Sequence, residues 1–525
     1  MVFKNERTFF EMTKAKKVEL FHKKYDEAVE KVKKTFSTHY PNYIDGKEVF
    51  SSDGEYEVIT PINKSIVIGY CQKGTAEDAK RAIASAKERF YKWSRTPYQQ
   101  RVKIFQKAAK IMSQKKFELA ALMTFDNGKN RYEAIADVDE AIDFLNFYSY
   151  LMLKNKGFVN KMGKPFPNED CTSVLKPYGV WAVISPFNFP LAITTGMSTG
   201  AMITGNTIVL KPASDTPLMA IKFYEIMREA GLPDGVMNLV VGSGSTVGEE
   251  LISNPDIAGV VFTGSRSVGK RIFAKMTSDI VKPCITELGG KNPIIVTSKA
   301  KLNKAIEGVA RSAFGFGGQK CSACSRLIVF EDIKEKFIEG LIQWTKEKVI
   351  VGDPTKKEIF MGPVINQKAY DDFVHYSDLA KKDGNIILGG NRCEENELRN
   401  GFFVEPTIVD NLPLNHEIIK TELFLPIMAV ITVKNLEEAL KIANDTEYGL
   451  TAGIFTENAK EREYFFDHIE AGVTYCNRTV GGSTGAMVNG QPFGGWKASS
   501  STGKGAGGLY YLQQFMREQS QTIVK

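Results

Sequence analysis

From residue 174 onward the chain alternates short apolar runs with amphipathic stretches. VWAVISP, NTIVLKP, MNLVVG, GVVFTG and NPIIV recur in this way. An apolar run of about 4–8 residues bounded by Gly or Pro reads as a strand buried on both faces. Such strands join in parallel only through crossovers long enough to hold a helix. The alternation therefore predicts an α/β chain built around a parallel sheet. One crossover marks its own ends: Thr216 is placed to cap, Pro217 suits the first helical turn, and Gly231 followed by Pro233 stops the helix. Met219, Phe223, Ile226, Met227 and Ala230 share one face of that helix, the face expected to be buried. A second α/β series runs from about 290 to 475 through SRLIVF, FFVEPTIV, PIMAVITV and TAGIFT. Ahead of both, residues 1–40 read as helical. Residues 41–72 read as β-rich with a turn at Asp45-Gly46, and helical stretches follow near 75–94, 97–124 and 130–154. The C-terminal tail is Gly-rich and then strand-like.

Composition removes several classes of function. With 525 residues there is room for two to four domains at ~100–200 residues each. At 43% hydrophobic and 25% charged, the chain has the balance of a folded soluble protein and not of a disordered one. The net charge is +7, and +4 of it falls in residues 1–40, where ten Lys/Arg face six Asp/Glu. That excess is too small to suggest a nucleic-acid partner. No run approaches the ~20 apolar residues of a membrane span. The opening MVFKNERTFFEMTKAKK lacks the apolar centre of a signal peptide, so a cytoplasmic location is expected. The seven cysteines are odd in number and scattered, against a disulfide framework. The five histidines stand apart from them, against a zinc site.

The residues that can carry chemistry cluster where strands end. Two glycine groups follow strands: Gly242-Ser-Gly244-Ser-Thr-Val-Gly248 and Gly264-Ser265-Arg-Ser-Val-Gly269. Each reads either as a tight strand–helix turn or as a cradle for a phosphate, and two in one α/β unit favour a dinucleotide. GFGGQKCSACSR places Cys321 in a loop of small and polar residues before a strand, a setting for a reactive thiol. Cys324 offers the alternative of a CxxC couple. Glu287 in ITELGGKNP reads as a general base or as a cap. Asn188 in ISPFNFP reads as an oxyanion donor or as a turn former, and Lys211 in VLKPAS as a ribose ligand or a solvated cation. Glu422 in TELFLP precedes another strand. Taken together, a thiol, a carboxylate and an amide beside a dinucleotide-like unit suit covalent oxidation of a carbonyl compound. No histidine lies near these motifs, which disfavours a Cys–His hydrolase.

From about residue 40 to 525 the chain resembles the aldehyde dehydrogenase superfamily. The matching segments, in that family's order, are ISPFNFP, NTIVLKPASDTP, FTGSRSVG, TELGGKNP, GQKCSACSR, ELFLP and QPFGGWK, and the thirty-four-residue step from Glu287 to Cys321 matches as well. The resemblance implies a Rossmann-type cofactor domain, an α/β catalytic domain and a small β oligomerisation region. The implied boundaries are 1–40 for an N-terminal helical segment, 41–155 with 172–289 for cofactor binding, 290–483 for catalysis, and 156–171 with 484–525 for bridging strands and a substrate loop.

It also implies roles. Cys321 would be the nucleophile, Asn188 with the Cys321 N–H the oxyanion donors, and Glu287 the activator of the deacylating water. NAD would lie against Ile184, Ser185, Pro186, Lys211, Ser214, Gly244, Gly248, Phe262, Gly264, Ser265, Val268, Leu288, Glu422 and Phe424. Where NAD-preferring members often carry a glutamate three residues after the lysine, this chain has Ser214, so tolerance of NADP is expected.

Within the superfamily, four features resemble the branch that oxidises glutamate γ-semialdehyde. They are the helical N-terminus KYDEAVEKVKKTFSTHYPNYIDGKEV, Ser322 after the nucleophile, the loop TGAMVNGQPFGG and the tail GGLYYLQQFMREQS. That likeness implies that Ser322 and the amides of Gly485 and Ala486 grip the substrate carboxylate. Phe187 and Phe493 would flank its chain, and Glu140 would face its ammonium group. The expected reaction is NAD-dependent oxidation of L-glutamate 5-semialdehyde to L-glutamate by a homo-oligomer, a dimer or trimer of dimers, alongside a separate proline dehydrogenase. The alternatives are a dehydrogenase of another short carboxy-aldehyde such as succinate semialdehyde, and a non-catalytic binding protein on the same fold.

Overall fold

The structure, a computed structural model, describes residues 3–479 and 487–525. Its apolar runs form two seven-stranded sheets. Across the first lie Cys284–Glu287, Ile257–Thr263, Val180–Ile184, Thr207–Lys211, Met237–Leu239, Asn42–Ile44 and Lys47–Val49. The first five are parallel, and the hairpin Asn42–Ile44/Lys47–Val49 closes one edge antiparallel. Asp45 and Gly46 in its turn both have positive φ, 53° and 74°, which matches the twist of the flanking strands.

Alternate residues of these strands feed two helical layers. Trp181, Val183, Ile208, Leu210 and Val261 pack with the helices Tyr98–Gln114, Arg131–Lys154 and Leu218–Ala230. Val180, Ala182, Val209 and Val260 pack with Ala76–Arg95 and Arg266–Met276. Burial on both faces is the reason these strands read as unbroken apolar runs.

The second sheet has the order Asn385–Leu388, Thr407–Asp410, Ile427–Val433, Cys324–Phe330, Asn292–Val296, Thr451–Phe455 and Val473–Cys476. It is parallel except for its first pair. A third sheet stands apart: Glu169–Pro177 pairs antiparallel with Val159–Lys161 and, residue for residue, with Met516–Val524.

Three expectations are corrected. The helical stretch 97–124 is two helices, Tyr98–Gln114 and Lys116–Asn127. They part at Lys115, whose N–H is shared between the Ile111 and Met112 carbonyls as the turn tightens. Thr216 does not cap: its hydroxyl points to the Phe187 carbonyl at 3.5 Å, and Leu218–Ala230 starts without a side-chain cap. Gly231 does end that helix, in the left-handed region at φ 96°. The bridging segment does not stop at 171, because the strand Glu169–Pro177 continues unbroken across that boundary.

The strand order locates a crevice. Val180–Ile184 comes first in the chain among the parallel strands of its sheet. Its successor Thr207–Lys211 lies on one side of it and Ile257–Thr263 on the other. The loops leaving such a reversal point diverge and leave room for a ligand at the carboxyl ends of the strands. The chain then crosses from the first sheet to the second between Glu287 and Asn292. The carboxyl end of one sheet thereby meets the amino end of the other.

A buried ion pair fixes the loop after Val180–Ile184. Lys129 Nζ lies 2.6 Å from Asp137 Oδ2, with both side chains fully enclosed. The same ammonium lies 3.6 Å from the centre of the Phe189 ring. Asp137 Oδ1 accepts the Ala192 N–H at 2.7 Å, at the start of the next helix. Removing one partner strands a buried charge. Asp137→Ala is therefore expected to destabilise the protein by about 3–5 kcal/mol, read as a lowered urea midpoint of tryptophan fluorescence; an unmoved midpoint refutes it.

Candidate active site

Cys321 lies in the loop between Gly315–Gly318 and the strand Cys324–Phe330. The loop is held by its own backbone and by buried contacts with distant segments. Phe316, Gly317 and Gly318 take positive φ of 52°, 61° and 69°, and a Cβ on Gly318 would run into the Leu425 carbonyl. Gln319 is fully buried. Its Nε2 donates to the carbonyls of Phe316 (3.1 Å) and Pro363 (3.3 Å), and its Oε1 accepts the Ile365 N–H (2.8 Å). Asn292 ties the loop to the central strand. Its Nδ2 donates to the carbonyls of Cys321 (2.7 Å) and Ala323 (2.9 Å), and its Oδ1 accepts from Thr451 N–H (3.0 Å). Cys324 is buried, with its thiol near the Arg326 carbonyl. It and Cys321 are both free thiols, so no CxxC bridge forms.

Asn188 reaches the same loop from the other sheet. Its Oδ1 accepts the Phe189 N–H at 3.1 Å, and its Nδ2 donates to the Gln319 carbonyl at 3.0 Å. Those two bonds settle which end of the amide faces the loop, and one N–H of the amide is left for a ligand.

Glu287 ends the strand Cys284–Glu287. Its Oε1 accepts from the Ser500 hydroxyl at 3.0 Å, while Oε2 is buried with no hydrogen-bond partner. Burial pushes the carboxyl up to about 8, against the opposing pull of Ser500 and the Gly495 N–H. Two glycines then let the crossing pass: a Cβ on Gly289 would overlap the Glu422 carboxylate, and one on Gly290 would come within 2.6 Å of the Cys321 carbonyl. Glu422 Oε1 accepts the Gly290 N–H at 2.9 Å. Burial pushes Glu422 up to about 7, opposed by that N–H and by Lys291. Lys291 is enclosed and its Nζ has no hydrogen-bond partner; burial, with Arg326 beside it, lowers it to about 7. The Cys321 thiol is raised well above the ordinary cysteine range, first by burial and then by the carboxylates of Glu422 and Glu287.

Most residues expected to hold a dinucleotide lie at or just after strand ends of the first sheet. Ile184 ends its strand, and Ser185 and Pro186 follow; the Ser185 hydroxyl is buried without a partner. Lys211 ends the next strand, donates to the Pro212 carbonyl at 3.0 Å, and is lowered to about 8 by burial. A Cβ on Gly248 would touch the Lys211 side chain at 3.8 Å, whereas Gly244 faces open space. Ser265 precedes the helix Arg266–Met276 and gives it no side-chain cap, so N–H groups of the first turn are left for a ligand. Val268 on that helix is 39% exposed. Phe262 lies against Gly264, and Leu288 lies against Gly269. Ser214 is exposed, and its carbonyl accepts the Tyr56 hydroxyl at 2.9 Å. Phe424, at φ 61°, meets Phe187 edge to face, with ring centres 5.7 Å apart.

The expected substrate contacts are less completely placed. Ser322 is buried, and its carbonyl accepts the Thr451 hydroxyl at 3.2 Å. Phe493 exchanges backbone bonds with Ala506 at 2.9 and 2.7 Å. Burial, then Asp137, pushes Glu140 up to about 8. Gly485 and Ala486 lie outside the described residues. Sequence reasoning missed Asn292, Gln319, Lys291 and Ser500 as parts of the site. Lys291 and Asn292 sit inside TELGGKNP and Gln319 inside GQKCSACSR. Ser500, in a run of serines, carries no signal of its own.

Residues 49–521 match the profile of the aldehyde dehydrogenase family. The chain is 41% identical over 511 residues to the 1-pyrroline-5-carboxylate dehydrogenase of a Geobacillus species, covering 96% of each. It is similar to the solved 1-pyrroline-5-carboxylate dehydrogenase from Thermus with bound NAD, at a TM-score of 0.93 and 36% identity, covering 100% of this chain and 99% of that one. It is also similar to proline utilization A from Bdellovibrio bacteriovorus, at a TM-score of 0.91 and 35% identity. There it covers 96% of this chain and spans about half (52%) of the other.

The electrostatics around Cys321 make a measurable demand. Because burial and two carboxylates disfavour its thiolate, alkylation of Cys321 by iodoacetamide should still be climbing ~10-fold per pH unit at about pH 9. Peptide mass spectrometry follows the site, and a rate already flat at that pH contradicts this electrostatic picture.

Proposed function

The chain belongs to the aldehyde dehydrogenase family, and on that premise we propose that it oxidises L-glutamate 5-semialdehyde, the open form of Δ1-pyrroline-5-carboxylate, to L-glutamate with NAD. The observation that carries this reading is the meeting of three groups where the two sheets abut. These are a loop thiol at Cys321, the Asn188 amide anchored two residues upstream at Gln319, and the Glu287 carboxyl with one oxygen unpartnered.

Cys321 passes its proton to solvent water and its sulfur adds to the aldehyde carbon. The free N–H of Asn188 and the Cys321 backbone N–H receive the oxygen as it becomes negative; losing one such donor typically costs ~100–1000-fold in rate. NAD, when bound, would supply the hydride acceptor for oxidation of this adduct to a thioester. Glu287 Oε2 then takes a proton from water, the hydroxide attacks the thioester, and glutamate leaves as the Cys321 thiol is restored. The raised Cys321 keeps the resting thiol protonated and protected until substrate is present.

The crevice fits the cofactor chemically. Ser185 offers an unpartnered buried hydroxyl, Lys211 at the end of its strand and Glu422 in the segment before the strand Ile427–Val433 suit the two riboses, and the uncapped turn after Ser265 offers N–H groups to the pyrophosphate. Ser214 carries no charge to repel a 2′-phosphate, so NADP is tolerated. For the substrate, Ser322 with Gly485 and Ala486 would hold the carboxylate, Phe187 and Phe493 the aliphatic chain, and Glu140 the ammonium group. The strand Met516–Val524 leaves an open edge on the outlying sheet, with Ile523 and Val524 each 64% exposed, which supports a homo-oligomer, a dimer or trimer of dimers. Among the described residues no helix is long and apolar enough to cross a membrane. The cytoplasm is the proposed location, and a separate proline dehydrogenase the proposed source of the substrate.

An assay of NADH release with Δ1-pyrroline-5-carboxylate tests the whole reading; a rate no higher than that with succinate semialdehyde overturns the substrate assignment. Cys321→Ala should abolish turnover while still binding NAD. Glu287→Gln should release one burst of NADH and then stall, and an undiminished steady rate in that variant removes the assigned role. Since only ionised Glu287 accepts a proton and its carboxyl is raised to about 8, steady turnover should fall as pH drops below about 8. A flat profile from there to neutrality contradicts it. An NAD over NADP preference in kcat/KM above ~1000-fold, about 4 kcal/mol, would contradict the reading of Ser214.

A further inference from the structure

The base assigned to Glu287 is held by a residue that no motif marks. We infer that Ser500 is a positioning residue for this base: its hydroxyl holds carboxylate oxygen Oε1 so that Oε2 is the oxygen presented to the deacylating water. The inference rests on the reading of Glu287 as general base.

Residues 499–501 pair along the outer edge of the strand Cys284–Glu287. Leu288 N–H donates to the Ser499 carbonyl at 2.8 Å, and Ser501 N–H to the Thr286 carbonyl at 3.2 Å. These two bonds flank Glu287 and Ser500, which stand opposite each other in an antiparallel bridge. Directly opposed residues between such bonds bring their side chains together on one face. The register is locked by Ser501, whose hydroxyl donates to the Cys284 carbonyl at 2.7 Å and accepts the Thr286 N–H at 2.9 Å. A slip of one residue would turn Ser500 to the opposite face.

The Ser500 proton has one destination. A hydroxyl has one proton and two lone pairs. The Ser500 oxygen accepts from the N–H groups of Thr502 (3.4 Å) and Gly503 (3.3 Å), which leaves its proton for Glu287 Oε1 at 3.0 Å. Oε1 thus carries the Ser500 bond, and Oε2 is the buried oxygen without a partner. Ser500 thereby favours the charged form of this carboxyl together with the Gly495 N–H, both against the burial that raises it; the titratable groups facing it are Cys321 and Tyr511. Ser500 therefore acts on both the direction and the proton affinity of the base without touching substrate.

The competing reading makes Ser500 only a cap for the turn 500–503. Stopped-flow NADH release and the steady rate, each followed from about pH 6 to 10, separate the two for Ser500→Ala, Ser500→Thr and Glu287→Gln. Ser500→Ala should keep its burst rate within ~2-fold, lose ~10-fold in steady rate at neutral pH and move the acid limb up by about one pH unit. Ser500→Thr, which keeps the hydroxyl, should recover both. The inference is overturned by Ser500→Ala with the parent's steady rate and acid limb. It is equally overturned by joint loss of burst and steady rate that Ser500→Thr does not restore. If Glu287→Gln stalls after its burst while Ser500→Ala behaves as the parent, this inference alone fails; if Glu287→Gln turns over normally, the base assignment fails and takes this inference with it.

Discussion

Six residues, Glu287 to Asn292, carry the chain from one parallel sheet to the other, and the site depends on how closely that crossing is packed. At Gly289 the backbone runs against the Glu422 carboxylate, and at Gly290 against the Cys321 carbonyl. Neither position has room for a Cβ. The close approach lets the Gly290 N–H hold Glu422 while Asn292, two residues on, holds the Cys321 loop. Glu287 sits at the start of the crossing as the last residue of its strand. One short segment therefore sets the spacing between the carboxyl ends of one sheet and the amino ends of the other.

That packing governs the electrostatics. Enclosure raises Glu287 to about 8 and Glu422 to about 7, and lowers Lys291 to about 7 and Lys211 to about 8. In each case burial is the largest cause, and polar or charged neighbours adjust it. Groups that titrate near neutrality can exchange protons with little cost in either direction, as acid–base chemistry requires. The same enclosure keeps the Cys321 thiol protonated at rest. One physical cause thus raises the carboxyl of Glu287, the proposed base, and disfavours the thiolate of Cys321, the proposed nucleophile.

The support for the site comes from distant parts of the chain. The buried Lys129–Asp137 pair holds the loop that carries Asn188. Residues 499–501 return from the C-terminal region to line the edge strand that carries Glu287. At the other end, Asn5 reaches the Val488 carbonyl at 2.8 Å and Asp143 at 2.7 Å. Both ends of the chain are thus folded back beside the central helices.

The alternation of apolar runs with amphipathic helices was enough to place the parallel strands, because a strand buried on both faces has no polar positions to conceal. Cys321, Glu287 and Asn188 were visible as candidates because each stands where a strand meets a Gly-, Pro- or small-residue segment. The break at Lys115 was not visible, since it turns on how one N–H is shared between two local carbonyls, nor was the turn of the Thr216 hydroxyl to the Phe187 carbonyl, 29 residues away. Nor were the partners of the candidates. Asn292 on the Cys321 loop, the Gln319 carbonyl under Asn188 and Ser500 opposite Glu287 are contacts between segments 29, 131 and 213 residues apart. Local propensity carries no information across such separations. The sequence alone determined which residues have the chemistry; tertiary packing decided which oxygen of Glu287 is free, because that depends on what the fold lays beside it.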